Sequence, residues 1–431
     1  GGRLSFASEL KAFRADPECR LEPNLGLVRD YVARDWFDHT DETFFEGIRK
    51  LPPAHSLVLD RSGLRLQRYW RLERRDPPPG DPVDTVRELF LDSVRLRLRS
   101  AVRVGTCLSG GIDSSAIACG VDHLLRTEVE SARPVGDRQA TFTVYFDIPG
   151  YDERPYAGAV VDRTLATPTW VSFSDDELGA QLPGIVEAHD EPFRSTSICA
   201  GWFVMRAARD AGVTVVLDGQ GGDEVFAGYP AYYAARYADL LAKGRAGEVA
   251  RELAGHARAQ GAGPAAAMLG RAVAPAGLER LLRRRRSESD ALLHPDLRSA
   301  PETVERVESP YSDRLRRLMT RILTVRGLPE LLHAEDRNSM AHSLEARVPF
   351  LDYRLVELSF SLDGDRLLER GRTKAILRRA LGDLLPPTVA ARTDKLGFVT
   401  PEALWLRGSL GELAADTFAS RSSKKITSPG R

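Results

Sequence analysis

The sequence contains little cysteine and no long hydrophobic run. Four cysteines occur among 431 residues, and none of them forms a CxxC pair or stands in a metal-ligand spacing with histidine. This scarcity argues against a disulfide framework or a zinc site, and it makes a reducing cytoplasm the expected location. No apolar run approaches the roughly 18 residues that a membrane helix needs, so we expect no membrane partner.

The chain also lacks a net charge, because 61 basic residues balance 61 acidic ones. Proteins dedicated to nucleic acids or acidic membranes are usually basic, so we expect no nucleic-acid partner. The arginine run Arg283–Arg286 has no interleaved aromatic residues, which favours a solvated helix face over a nucleic-acid patch. A chain of 431 residues is long enough for two or three domains.

The most informative stretch is VRVGTCLSGGIDSSAIACGV, at 102–121. A strand-like apolar run ends at Leu108, Gly110 and Gly111 make a sharp turn, and a segment of helical composition follows. This order forms an anion site, because the first helical N–H groups have no backbone partner and the helix dipole is positive there. Asp113 would repel a phosphate unless a divalent cation such as Mg²⁺ lies between them.

Hydroxyl groups at Ser109, Ser114 and Ser115 add hydrogen-bond donors to this turn. The alternative interpretation is a glycine turn that only connects a strand to a helix. The full SGGIDSS string after an apolar run disfavours that alternative, and the missing GK[ST] excludes a Walker loop.

A second glycine-rich turn follows the apolar run Val213–Leu217, which is typical of a central parallel strand. This turn reads DGQGGDEVFAGY from Asp218, and Asp223 within it is a candidate to share the cation with Asp113. Both turns stand at the carboxyl ends of predicted strands, where ligands bind in doubly wound sheets. The competing interpretation is a solvent loop with helix-capping acids.

Predicted strands and helices alternate along the middle of the chain, and this pattern indicates an α/β fold with a doubly wound parallel sheet. The further strands are predicted at 141–146 and 169–173, and residues 238–300 are helical in character. Thr373–Leu381 is predicted to form an amphipathic helix in a C-terminal helical portion.

The proline-rich stretch Arg74–Asp84 predicts a linker, which divides the chain into regions 1–76 and 77–431. The first region is short and β-rich, with a hairpin predicted from strands at 55–60 and 64–70. Ser8 is a candidate N-cap for a helix near the start of this region.

Two cations late in the chain are candidates for substrate contacts. Arg347 has a planar fork suited to a carboxylate or phosphate, and an ion pair with Glu345 or Asp352 is the alternative. Lys395 stands in the loop RTDKLGF, where it is suited to neutralise charge on a transferring phosphoryl group. A solvated lysine is the alternative there.

Together these blocks resemble the glutamine-hydrolysing asparagine synthetase family. The matching strings, in chain order, are FASELKA, SGGIDSS, DGQGGDEVFAGY, RNSMAHSLEARVPFLD, TKAILRRAL and RTDKLGF. The resemblance implies an ATP-pyrophosphatase (adenine nucleotide α-hydrolase-like) fold, with ATP and Mg²⁺ as cofactors. It also implies that aspartate is activated as an acyl-adenylate and attacked by ammonia released from glutamine.

The resemblance also assigns roles to individual residues. It implies that Asp113 and Asp223 bind the cation and that Lys395 supports the adenylylation transition state. Gln220 and Arg347 are further catalytic candidates. The residues implied to contact the nucleotide and its pyrophosphate are Cys107, Leu108, Ser109, Gly110, Gly111, Asp113, Ser114, Ser115, Val144, Asp218 and Gly219.

Two departures from the family pattern stand out. The N-terminal cysteine nucleophile of the glutaminase domain has no match here, so we expect region 1–76 to be the C-terminal remnant of that domain. The chain alone is then expected to depend on free ammonia or on a missing segment. Gln220 stands where asparagine-forming members carry a glutamate that is thought to act as a base.

The glutamine at position 220 keeps other functions open. Relatives of the family close β-lactam rings, cyclise lasso peptides or amidate sugars, and a non-catalytic remnant that binds a partner is a further alternative. A tRNA-modifying relative is disfavoured by the neutral charge and the missing cysteine pair. The expected partners are small-molecule substrates, namely ATP, aspartate or another carboxylate, and ammonia, with a homodimer left open.

Overall fold

The computed structural model describes residues 3–274, 293–301, 303, 307–394 and 399–419. The strands within these residues are β1 His55–Asp60, β2 Gly63–Arg68, β3 Val104–Cys107, β4 Gln139–Val144, β5 Ala166–Val171, β6 Val215–Leu217 and β7 Glu345–Arg347.

Helices account for most of the remaining regular structure in the described residues. They are α1 Leu25–Arg34, α2 Pro82–Arg97, α3 Ile112–Thr127, α4 Val129–Ala132, α5 Arg154–Arg163, α6 Asp175–His189, α7 Thr196–Asp210, α8 Gly222–Val225, α9 Ala231–Ala242, α10 Ala246–Gln260, α11 Ala262–Val273, α12 Pro295–Ser299, α13 Arg314–Thr324, α14 Leu328–Ala341, α15 Tyr353–Ser361, α16 Gly364–Leu367, α17 Ala375–Leu381, α18 Pro387–Ala391, α19 Glu402–Trp405 and α20 Ser409–Ala419. Among the described residues, none of these helices combines the length and apolarity needed to cross a membrane.

Five strands form one parallel sheet in the order β5-β4-β3-β6-β7. The order runs outward in one direction from β3 to β5 and in the other from β6 to β7, so the chain reverses its course between β3 and β6. Such a reversal opens a crevice at the carboxyl ends of the two central strands. The predicted α/β fold with a doubly wound parallel sheet is confirmed.

Helices cover both faces of this sheet, which explains why the central strand β6 is apolar throughout. Val215 and Leu217 of β6 belong to a buried cluster that includes residues of α2 and α3. Val216, between them, packs on the opposite face with Val204 and Met205 of α7. A strand that is buried on both faces has no polar face, so the apolar run in the sequence was a sound signal.

Side-chain caps set the start of several helices. In each case the side-chain oxygen accepts a hydrogen bond from a backbone N–H of the first turn, which otherwise has no partner. The capping residues are Asn24 for α1, Asp81 for α2, Ser174 for α6 and Asp313 for α13. The helix that follows the predicted linker therefore begins directly after Asp81.

The prediction that Ser8 caps a helix is wrong. The structure has a 3₁₀ helix at Leu10–Ala15, and Glu9 precedes it without a side-chain cap. The Asp190 carboxylate accepts a hydrogen bond from the backbone N–H of Lys11 at 3.1 Å instead. A residue distant in sequence thus satisfies a donor of this helix, which local reading cannot foresee.

The N-terminal part packs on the rest of the chain through partly buried charged groups. The Lys50 ammonium contacts Asp38 and lies 2.9 Å from the Glu191 carboxylate. The His333 ring lies 2.8 Å from Asp38, and Glu191 also accepts from the backbone N–H of Phe44 at 2.8 Å. These contacts tie the N-terminal part to α14 and to the loop after α6. The predicted hairpin is present as β1 and β2, whose outer residues are largely exposed.

A long helical segment, α8 to α14, connects β6 with β7. Three tyrosines of α9 are fully buried in the large core, where they pack against the helices that follow: Tyr232, Tyr233 and Tyr237. The arginine run 283–286 and the terminal residues 420–431 lie outside the described residues.

Candidate active site

The turn after β3 has the backbone shape that an anion site needs. The backbone N–H of Ser109 donates to the Ser114 hydroxyl at 3.1 Å, so the start of α3 folds back onto the turn. Gly110 has a φ of +75°, and a Cβ at this position would lie 2.7 Å from the backbone nitrogen of Ala157. Only glycine is tolerated there, because both the conformation and the space exclude a side chain.

Arg392 holds this turn through its guanidinium group. Its buried guanidinium donates to the Gly110 carbonyl at 3.3 Å and to the Glu153 carboxylate at 2.8 Å. It also stacks on Tyr156, with 3.9 Å between the guanidinium carbon and the ring centroid. The glycine turn is therefore held in one geometry before any ligand arrives.

The second turn, after β6, lies directly against the first. A Cβ on Gly219 would be 3.0 Å from the backbone nitrogen of Ser114, and one on Gly222 would be 2.5 Å from Asp113 Cγ. The glycines at these two positions allow the turns to touch. This close approach brings Asp113 and Asp223 to one place.

Lys374 lies between the two acids. Its ammonium contacts the Asp113 carboxylate and lies 2.7 Å from Asp223 Oδ1. Lys374 is only 5% exposed. Burial opposes its charge, but the two carboxylates outweigh that effect and hold the Lys374 pKa above its ordinary value. The lysine is therefore a cation in the folded protein.

The sequence reading placed Lys374 inside a helix and assigned it no role. The helix begins at Ala375, directly after Lys374, and Lys374 itself has a φ of 55°. This left-handed conformation is uncommon for a residue with a side chain. It directs the lysine into the crevice. The lysine in the family-matching string TKAILRRAL was the sequence feature that could have indicated this site residue.

A second polar cluster lines the same crevice. One ligand atom each from Cys107, Asp218 and Glu335 lie within 4.8 Å of one another. Burial raises the pKa of Cys107 and of both carboxyls. The Asp218 carboxylate raises the Glu335 pKa further, and Asp113 raises that of Asp218. Asp218 also accepts a hydrogen bond from the backbone N–H of Gln220 at 3.0 Å.

These groups line a single cavity of about 400 Å³. Nine of the predicted site residues belong to its lining: Cys107, Ser109, Gly111, Asp113, Ser114, Asp218, Gly219, Gln220 and Asp223. The sequence reading missed several others, chiefly Glu153, Glu335, Asn338, Lys374, Arg378 and Arg392. No described residue between Tyr229 and Leu331 contributes to the lining.

Four other predicted residues stand behind the lining. Leu108 is buried, and its backbone pairs with β4 through Phe142 at 2.9 Å. Ser115 is fully buried within α3, Gly110 forms the back of the turn, and Val144 packs between two apolar clusters. These residues lie outside the cavity lining.

Arg347 lies at the sheet edge and does not line the cavity. Its guanidinium donates to the carbonyls of Arg97 and Arg99 at 2.6 and 2.9 Å and pairs with Glu345 at 2.7 Å. These contacts favour the structural ion pair over a substrate contact, since the donors already hold the end of α2. Lys395 lies outside the described residues, and its role remains a prediction.

Comparison with known proteins gives two matches to protein families. A family described as asparagine synthase matches residues 85–428, and one described as a glutamine amidotransferase domain matches residues 1–70. These two ranges leave the predicted linker between them.

Individual relatives are similar over much of the chain. The chain is 28% identical over 408 residues to asparagine synthetase (glutamine-hydrolyzing) 3 of Bacillus subtilis, and the match covers 91% of this chain and 61% of that protein. Asparagine synthetase (glutamine-hydrolyzing) 1 of the same organism is 31% identical over 427 residues, covering 95% and 64%. Amidase chyE of Penicillium rubens is 30% identical over 257 residues, covering 56% and 36%. The chain thus spans less than two thirds of the length of these curated relatives.

Proposed function

The chain belongs to the asparagine synthase family, and we propose that it forms an amide bond in two steps driven by ATP. In the first step a carboxylate oxygen attacks the α-phosphorus of ATP, and pyrophosphate leaves. In the second an amine attacks the resulting acyl-adenylate, and AMP leaves. The convergence of Asp113, Asp223 and Lys374 beside a glycine turn carries this proposal.

The two aspartates suit a magnesium ion. They bring carboxylate oxygens from two separate turns to one place, and Mg²⁺ usually binds one or two carboxylates together with phosphate oxygens. The chemistry that such an ion supplies is neutralisation of charge on the pyrophosphate. Asp113 and Asp223 are the residues that would hold it.

Lys374 supplies a second positive charge to the same phosphates. Its ammonium is positioned by a rigid support, because Arg378 donates to the carbonyl of the preceding residue, Thr373, at 2.8 Å. Arg378 also binds the carbonyls of Ala390 and Arg392, each at 2.7 Å. Groups fixed in this way stabilise developing charge without reorganising during the reaction.

We propose aspartate as the carboxylate and ammonia as the nitrogen donor, giving asparagine. Family membership and the resemblance to asparagine synthetases support this choice. Gln220 favours a second candidate within the same chemistry, an amide-forming cyclase or amidotransferase that activates a different carboxylate. The two candidates differ in substrate and share the first step.

The test is exchange of labelled pyrophosphate into ATP, which reports the first step alone. We expect exchange that requires both aspartate and Mg²⁺, and a panel of other carboxylates separates the two candidates. D113N and D223N are each expected to lower exchange at least about 100-fold, in the range seen when one charge-stabilising group is removed.

D363N is the matched control, because the Asp363 side chain is 90% exposed. It is expected to retain exchange. Wild-type exchange in D113N and D223N, or no exchange with any carboxylate, would contradict the proposal.

A further inference from the structure

One carboxylate in the cavity has no assigned task. Glu335 lies on α14, whose residues Leu331, Ala334, Glu335 and Asn338 follow the spacing of one helical face and all line the cavity. Glu335 Oε1 is buried and has no hydrogen-bond partner among the described residues. A buried carboxylate oxygen without a partner is unfavourable, so its retention in the lining points to a ligand or a reaction.

The surroundings of Glu335 make it a strong proton acceptor once it is ionised. Burial is the main cause that raises the Glu335 pKa well above its ordinary value, and the Asp218 and Asp336 carboxylates raise it further. The described residues offer Glu335 no salt bridge that would offset this. Cys107, the third member of the cluster, has a raised thiol pKa and stays neutral.

The second step of the proposed function needs a proton acceptor. A nitrogen that attacks the acyl-adenylate becomes positively charged and must lose a proton. Gln220 lines the cavity, but its amide cannot accept that proton. Asp218 already accepts a hydrogen bond from the Gln220 backbone.

We propose that the Glu335 carboxylate takes the proton from the attacking amine. This inference rests on the proposed function. The amine nitrogen forms a bond to the acyl carbon, and the carbon–oxygen bond to AMP breaks with its electron pair leaving on the phosphate. One proton moves from the nitrogen to Glu335 and then to solvent, so that amide, AMP and one proton are the products.

The two half-reactions of E335Q test this role. Glutamine keeps the shape of the side chain but cannot accept the proton. We expect asparagine formation, measured at constant free ammonia with aspartate and ATP, to fall at least about 100-fold, the lower range for loss of a general base. Aspartate-dependent pyrophosphate exchange is expected to stay within about threefold of wild type, since no proton leaves an amine in that step. E412Q, on the exposed surface of α20, is the matched control.

A second variant distinguishes proton transfer from a structural role. The double variant Q220E/E335Q returns a carboxylate to the cavity, and we expect it to form asparagine at least about ten times faster than E335Q. No recovery, or a parallel loss of both half-reactions in E335Q, would contradict the assignment. Normal asparagine formation by E335Q overturns this inference alone, whereas absent exchange in the wild-type protein overturns the proposed function as well.

Discussion

Lys374 lies between Asp113 and Asp223, the two carboxylates that we propose as magnesium ligands. With the lysine present, the like charges of Asp113 and Asp223 are neutralised without an ion. Removing one member of a buried charged cluster leaves the others uncompensated, which is strongly destabilising. The side chain thus has a structural role as well as the proposed catalytic one.

We therefore predict that K374A is destabilised by about 3 kcal/mol and that Mg²⁺ restores much of this loss. The ion replaces the missing positive charge, so Mg²⁺ should raise the melting temperature of K374A far more than that of wild type. Thermal unfolding with and without Mg²⁺ measures the effect. K243A, at an exposed position after α9, is the control and should respond like wild type. An equal response in all three proteins would refute the prediction.

The buried Glu330 carboxyl should make the free energy of unfolding depend on pH. Its side chain is buried, and this burial raises the Glu330 pKa to about 7 although Arg194 lies 3.0 Å away. An acid whose pKa is raised on folding stabilises the folded state at low pH. That contribution is lost as the pH rises through about 7.

We expect E330Q to gain stability relative to wild type between pH 5 and pH 8, by about 3 kcal/mol. Glutamine is uncharged throughout, so only the wild-type protein carries a buried charge at the higher pH. Urea unfolding at both pH values measures the difference. E412Q replaces an exposed glutamate and should keep a constant offset from wild type; a similar constant offset for E330Q would rule the effect out.

At the residue scale, the sequence predicted the parts of the site that are continuous in the chain. SGGIDSS and DGQGGDE each carry their residues and their turn together, so their approach to a common crevice followed from strand order. Lys374, Glu335 and Arg392 enter the cavity from later segments whose local patterns resemble ordinary helices and loops. The positions of these three residues depend on tertiary packing, which cannot be predicted from local sequence patterns.

At the scale of elements, the contact between the two turns depends on Gly222. This glycine is the first residue of α8, and a Cβ there would lie 2.5 Å from Asp113 Cγ. Alanine is the better helix former, yet it should displace Asp113. We predict that G222A lowers pyrophosphate exchange at least about 100-fold, because a displaced group loses its alignment with the substrate.

G158A provides the matched comparison in a different helix. Gly158 lies within α5 and has open space where a Cβ would stand. G158A should retain exchange and raise the free energy of unfolding by up to about 1 kcal/mol. If G222A retained pyrophosphate exchange as G158A is expected to do, the close contact between the two turns would not be needed for the reaction.

The elements that the sequence predicted best are those with a strong apolar pattern. Strands β3, β4 and β6 were predicted from their largely apolar runs, and all three are buried on both faces. Strand β7 was not predicted, since Glu345–Arg347 is short, largely polar and lies at the sheet edge. Its place in the sheet is set by pairing with β6 rather than by its own composition.

At the scale of the whole molecule, the N-terminal part is held by a partly buried network of charges. Lys50 is the cation that Asp38 and Glu191 share, and burial of Asp38 is offset by His333 and Lys50, which hold its pKa at about 2. We propose that the parts on either side of the linker are separate domains joined by this network. K50M should destabilise the protein by about 3 kcal/mol, because two buried carboxylates lose the ammonium that they share.

Urea unfolding, followed together with limited proteolysis of the N-terminal part, measures this loss. K243M is the control, since Lys243 is exposed. We expect K50M to expose the N-terminal part to protease at urea concentrations that leave the rest of the chain folded. Unchanged stability and protease resistance would show that the network contributes nothing to the attachment.

The cavity takes no described residue from the stretch between Tyr229 and Leu331, although that stretch is most of the connection between β6 and β7. Within it, α10 still supports the segment before Lys374, because the Gln260 side chain donates to the Gly371 carbonyl at 2.7 Å. Substitutions at the exposed positions of α11 are expected to spare the chemistry. Divergence among relatives should concentrate there. A tag or reporter introduced at these exposed positions is expected to leave turnover unchanged.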